Sequence, residues 1–188
     1  TSLGITLLNL AHFGQDNIIS ILFSQTKFNE SDYLERALVK AVRAGSFECV
    51  KILLEQSIFW TFDNLERTIE KALLYKQDAI LSYLIQKFIS LIPTDKLQDL
   101  VVSAYVNKCN QIVNHILLLS PNLLTAKTRG ELLLLATKNA DQALMLELFK
   151  TSVASPFKLR AYQVALQSKN MNLLNFFETQ CSGIAGSY

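Results

Sequence analysis

Leu38-Val39-Lys40-Ala41-Val42-Arg43-Ala44-Gly45-Ser46-Phe47-Glu48-Cys49-Val50-Lys51-Ile52-Leu53-Leu54 is the stretch whose reading decides the fold. Leu38, Ala41 and Val42 are spaced as one face of a helix, and Cys49, Val50, Leu53 and Leu54 as the apolar stripe of a second. Gly45 stands between them, where a residue free to adopt the left-handed conformation ends a helix. The stretch therefore reads as helix, stop, helix.

Its pattern recurs along the whole chain. Ala41 has counterparts at Ala72, Ala104, Ala136 and Ala165, with Leu10 in the same role at the start, at spacings of 31, 31, 32, 32 and 29 residues. With these anchors as position 0, position −3 holds Leu7, Leu38, Ile69, Val101, Leu133 and Tyr162. Position +8 holds Ile18, Cys49, Ile80, Ile112, Leu144 and Leu173, and position +9 holds Ile19, Val50, Leu81, Val113, Met145 and Leu174. Position +12 holds Leu22, Leu53, Leu84, Ile116, Leu148 and Phe177. All are apolar in a chain that is 50% hydrophobic, where chance would make about half of them so. The period is shorter than the ~34 residues of a tetratricopeptide repeat and shorter still than HEAT repeats.

One such helix pair cannot bury its own apolar face, so stability must come from stacking on neighbours. The expected fold class is all-α, an αα-hairpin solenoid of about six repeats with short connections and little or no β-hairpin. The repeats are expected at residues 1–25, 32–57, 63–88, 95–120, 128–150 and 156–180, in a single domain over 1–181 with a flexible tail at 182–188. Helix starts are read from capping-box spacings: Asp32 with Glu35, Asp63 with Glu66, Asp95 with Gln98, and Thr128 with Glu131. Ser155-Pro156 reads as an N-cap followed by proline at the first helical position.

Bulk properties exclude several classes. Six Gly and three Pro among 188 residues are few for an all-β chain. No run reaches the ~18 apolar residues of a membrane helix. A net charge of +2 argues against a dedicated nucleic-acid binder. Three cysteines without tight spacing argue against a disulfide framework and for a reducing, intracellular compartment. No secretory leader is visible. The opening Thr1 in place of Met suits a fragment.

The opening stretch, Leu38 to Leu54, resembles the core of an ankyrin repeat, LxxAxxxGxxExVxxLL, and Leu7, Leu10, Gly14, Ile19 and Leu22 are similar. Later repeats keep the apolar skeleton and put Lys76, Lys108, Ala140 and Lys169 at the glycine place. The family's Thr-Pro-Leu-His opening is absent, so the resemblance implies a divergent ankyrin-like solenoid. It further implies a protein-binding module whose first helices line a concave face. Divergent repeats in Lys-, Asn- and Ile-rich chains of this style resemble modules in secreted effectors of intracellular bacterial pathogens and in large DNA viruses. Such an effector would work in the host cytosol.

Candidate sites follow from surface patterns. Arg36 and Arg67 share position −5, Lys40 and Lys71 share position −1, and Arg43 with Tyr75 extends the row. The pairs Arg36–Lys40 and Arg67–Lys71 are like charges one helical turn apart, costing about 0.2–0.5 kcal/mol each. A mildly unfavourable arrangement kept twice points to an acidic or phosphorylated partner segment. The competing reading is a solvated face softened by Glu35, Glu66 and Glu70. Phe59, Trp60 and Phe62 cluster in one connection, as interface anchors or as residues closing the core. Cys49 fills a core position, and Cys181 stands near the tail as an oxidisable thiol. Cys109 with His115 is the only nucleophile-and-base pairing, and it lacks a third group. His12 is a lone histidine on a first helix. No catalytic residue, metal site or cofactor is expected, because no ligand spacing or phosphate loop is present.

Three functions are weighed. The leading one is a non-catalytic protein-interaction module. The others are a repeat segment that positions a catalytic domain in a larger protein, and an enzyme with an unrecognised site. An open apolar flank at the first or sixth repeat favours the segment, since a free stack needs polar end faces. The sixth repeat, with Phe176 and Phe177, is expected to be poorly capped.

Overall fold

The computed structural model describes residues 2–26, 28, 30–56, 60–119 and 121–185, the side chains of 119, 121 and 181–185 excepted. Among the described residues there are twelve α-helices and no strand, as the apolar spacing predicts. They are α1 (Ser2–His12), α2 (Asp16–Gln25), α3 (Ser31–Ala44), α4 (Phe47–Leu54), α5 (Phe62–Leu74) and α6 (Asp78–Phe88), then α7 (Thr94–Val106), α8 (Asn110–Leu119), α9 (Ala126–Lys138), α10 (Gln142–Phe149), α11 (Ser155–Ser168) and α12 (Met171–Ala185). The last helix runs to Ala185, four residues past the expected domain end at 181. No helix is long and apolar enough to cross a membrane, among the described residues.

The contacts gather into two units, residues 1–93 with 107–112, and residues 94–106 with 113–188, a division the repeat spacing does not mark. In the first unit α3 lies between α1 and α5, and α4 between α2 and α6, while each first helix also packs on its own second helix. In the second unit α9 lies between α7 and α11, α10 packs on α9 and α12, and α11 on α12.

The anchors Ala41, Ala72, Ala104, Ala136 and Ala165 are fully buried. A methyl side chain lets neighbouring helices approach closely, which is why alanine recurs there. The first pair differs. Leu7, Ala11 and Ile19 are fully buried, but the anchor Leu10 is only half-buried and Ile18 is 48% exposed, although Cys49 and Ile80 at its position are buried. Ile5, Phe13 and Ile21 extend this exposed apolar flank. Within the first unit the first pair packs on α3 and α4, and its exposed side keeps the residue types of an inner pair. In the sixth pair, expected to be poorly capped, Leu159, Leu166 and Met171 are exposed and Phe176 is half-buried. Phe177 is buried, with its ring edge-on to Phe149 at 5.7 Å, Tyr162 at 5.9 Å and Phe176 at 5.9 Å.

The stop between the helices holds its geometry without glycine. Gly14, Gly45, Lys76, Lys108, Ala140 and Lys169 all take positive φ, between 53° and 72°. In pairs one, two, three and five the anchor carbonyl accepts a hydrogen bond from the amide five residues on: Gln15, Ser46, Gln77 and Asp141 donate to Leu10, Ala41, Ala72 and Ala136. The next carbonyl accepts from the positive-φ residue itself, as Gly45 to Val42 at 3.0 Å and Lys76 to Leu73 at 3.1 Å. This is the paired bonding of a Schellman motif. A side chain at positive φ costs about 1 kcal/mol or more. Replacing Lys76, Lys108, Ala140 and Lys169 together with glycine should therefore stabilise the protein by about 2 kcal/mol, less what glycine's unfolded-state freedom takes back. Denaturant melts of the single and combined variants check it, and a loss of stability would refute it.

The helix starts depart from the expected capping boxes. The α5 N-cap is Thr61, whose hydroxyl accepts from the Asn64 amide while Asn64 returns to the Thr61 amide; Asp63 and Glu66 are not the pair. The α9 N-cap is Thr125, which accepts from the Thr128 amide, and neither Thr128 nor Glu131 caps. Glu30 precedes α3 without a side-chain cap, leaving Asp32 in the first turn, and Ala154 precedes α11, so Ser155 already lies inside it. The residues expected at the far end of two of these boxes cross instead to the next first helix or to the turn and N-cap just before it. Glu35 accepts from Asn64 Nδ2 at 2.6 Å, and Gln98 accepts from the Thr125 amide at 2.9 Å while donating to the Leu123 carbonyl. Glu35 and Gln98 both occupy position −6. In pairs one and five that position is glycine, and the ring of the next first helix fills the space: Tyr33 lies against Gly4, and Phe157 against Gly130.

Candidate interaction surface

The basic row sits on the outer side of α3 and α5, because their apolar positions face inward. Leu34, Ala37, Leu38, Ala41 and Val42 are buried in α3, and Leu65, Thr68, Ile69 and Ala72 in α5. The remaining side of each helix is mostly polar, with Leu74 exposed at the end of α5. Arg36, Arg43 and Arg67 are exposed, and Lys40 and Lys71 are half-buried, their stems lying along the helix surface.

Two arginines are held by aromatic rings. The Arg36 guanidinium lies 5.7 Å from the Tyr33 ring centre, and that of Arg43 5.9 Å from the ring of Tyr75 on the neighbouring helix. Tyr75 thus joins the row as the sequence pattern places it, at the C-terminal end of α5. Such contacts contribute about 0.5–1 kcal/mol at exposed sites. The ion pairs formed among the described residues include Glu48–Lys51, Lys127–Glu131 and Glu147–Lys150, and none of the five cations enters them. Glu35, expected to soften the charge, instead turns to Asn64. The row is left as five positive charges with no carboxylate in ion-pair contact among the described residues.

The aromatic connection is less open than an interface anchor requires. Trp60 and Phe62 are half-buried, and Phe59 lies outside the described residues. The Trp60 indole N–H is buried with no acceptor among the described residues.

The remaining singled-out residues fall into structural roles. Cys49 is buried, and burial pushes its thiol above the ordinary range. Burial pushes the Cys109 thiol up to about 11, with a hydrogen bond to Asp78 and that carboxylate's charge adding to the effect. A nucleophile needs the reverse, a thiolate near neutral pH. His115 belongs to the second unit, where its Nε2 is buried with no partner among the described residues. His12 is exposed and edge-on to the Phe13 ring at 5.0 Å. The Cys181 side chain lies outside the described residues.

Reading the row as a feature of α3 and α5 alone missed Lys138 and Arg160. They occupy positions +2 and −5, the places of Arg43 and Arg67, and the same register that revealed the repeat could have found them. No family model, curated protein or solved structure matches the chain.

Proposed function

We propose that the chain is a non-catalytic protein-interaction module, a divergent ankyrin-like αα-solenoid, that binds an acidic or phosphorylated segment of another protein on its first-helix face. The observation that carries this reading is the row Arg36, Lys40, Arg43, Arg67 and Lys71 on the outer side of two packed helices, without carboxylate partners among the described residues. Cations not paired internally are available to a partner, and complementary charge raises association rate and specificity. The spacing of the helix pairs and the Leu38–Leu54 stretch support the ankyrin-like form.

A second reading is favoured by the apolar flank of the first pair. Exposed Ile5, Phe13, Ile18 and Ile21 form the kind of face that a free stack avoids, which suits a segment docked on a neighbouring domain of a larger protein.

One experiment separates them, partner capture from cell lysate with identification by mass spectrometry. Wild type is run beside Arg36→Glu/Arg67→Glu and beside Ile18→Lys/Ile21→Lys. All four positions are exposed, so each change should leave stability within about 0.5 kcal/mol. If the basic face binds, the first variant loses a captured partner by about 10–100-fold in affinity and the loss shrinks at high salt. If the apolar flank docks, the second variant loses it and salt matters little. Retention of the same partners by the arginine variant would sink the basic-face reading.

A further inference from the structure

The cation pair Arg43 and Arg67 has a counterpart in the second unit. Lys138 of α9 and Arg160 of α11 hold the same two positions on neighbouring first helices, and here they border one cleft of about 350 Å³. Leu134, Gln163, Val164 and Gln167 complete its lining. The four polar side chains can all donate hydrogen bonds, and none of the six lining residues is acidic. Neither cation enters the Lys127–Glu131 or Glu147–Lys150 ion pairs of this unit. Where the first unit has Glu70, a carboxylate that repels anions, the second has Gln163, which donates to them.

We propose that the α9–α11 cleft is a subsite for a phosphoryl group carried on a side chain of a partner protein. A phosphorylated side chain carries about −1.5 to −2 charges and three acceptor oxygens. Lys138 and Arg160 supply two positive charges to match it, the guanidinium as a planar fork and the ammonium as a point charge. Gln163 and Gln167 supply amide donors for the remaining oxygen. A carboxylate, with one charge and two oxygens, would leave one cation unmatched. Half-buried Leu134 and Val164 supply the apolar part of the lining. All four donors are exposed, so an incoming side chain reaches them without rearrangement. The subsite rests on the reading of the chain as an interaction module only in that its phosphoryl group comes from a partner.

The test is a titration of the full chain, following the side-chain amide signals of Gln163 and Gln167 by NMR at pH 7.5 and constant ionic strength. The probes are inorganic phosphate, acetate, and a short serine peptide in phosphorylated and unphosphorylated forms. Phosphate should shift both amides saturably, with a Kd on the order of millimolar. The phosphopeptide should bind at least as tightly, and acetate and the plain peptide should not. Lys138→Gln/Arg160→Gln, with helical content and melting temperature as controls, should weaken phosphate at least about tenfold. Arg36→Glu/Arg67→Glu should leave the titration unchanged, so failure of the basic row and failure of this cleft are told apart. No saturable shift, equal binding of acetate, an unaffected cleft variant, or binding of phosphate without the phosphopeptide would each overturn the assignment.

Discussion

Phe177→Ala should lower the stability of the second unit by about 3–5 kcal/mol, the range for deleting a buried phenylalanine. Phe177 is 1% exposed and touches three rings edge-on, those of Phe149, Tyr162 and Phe176. Truncation removes the ring all three pack against, and rings cannot collapse into the space as flexible side chains do. Edge-to-face pairs add about 0.5–1.5 kcal/mol beyond the area they bury, so the upper half of the range is expected. The melting temperature should fall by roughly 10 °C. Phe177→Leu, the residue type of most other pairs at this position, should recover most of the loss. A fall below about 1 kcal/mol for the alanine variant would show that the ring cluster is not a core.

Gly130→Ala is the second large effect, and its sign opposes helix propensity. Within a helix, alanine is ordinarily favoured over glycine by about 1 kcal/mol. Here a Cβ at position 130 would meet the Phe157 ring at its root, Cγ and the two Cδ atoms. The root of a ring cannot swing aside as its far end can, so α9 and α11 must separate. Overpacking of this kind costs about 1–3 kcal/mol, enough to reverse the propensity gain. Phe157→Leu in the alanine background should restore much of the stability, and the double-mutant cycle should show coupling above about 0.5 kcal/mol. Equal costs of Gly130→Ala with and without Phe157 would rule the contact out as the cause. Gly4 against Tyr33 is the same arrangement in the first unit.

The register of these contacts explains how much of the molecule could be read in advance. Positions −3, +8, +9 and +12 were marked as core by apolar spacing, and most are buried, because a residue's side of a helix depends on its own sequence alone. Ile18 is the instructive exception. Its side is inward by pattern, yet its exposure depends on whether another helix pair lies beyond α1 and α2. The helix starts were less legible. A hydroxyl or carboxylate near a start can cap its own helix or bond to the next one, and Glu35 and Gln98 do the latter. Lys76, Lys108 and Lys169 show the opposite case. Lysine carries no signal for positive φ; at Lys76 the conformation goes with two backbone hydrogen bonds, Lys76 to Leu73 and Gln77 to Ala72, made where two helices meet.

By itself the sequence determined that this chain is helical, where each helix pair recurs, and which side of each helix is apolar. Those properties are local, set by spacings within a few turns. The tertiary structure alone decided which side chains cap and which cross, that Phe177 joins a core, and that Lys138 and Arg160 border one cleft. Each of these depends on which helix lies alongside, and residues separated by a whole repeat meet only when their helices pack.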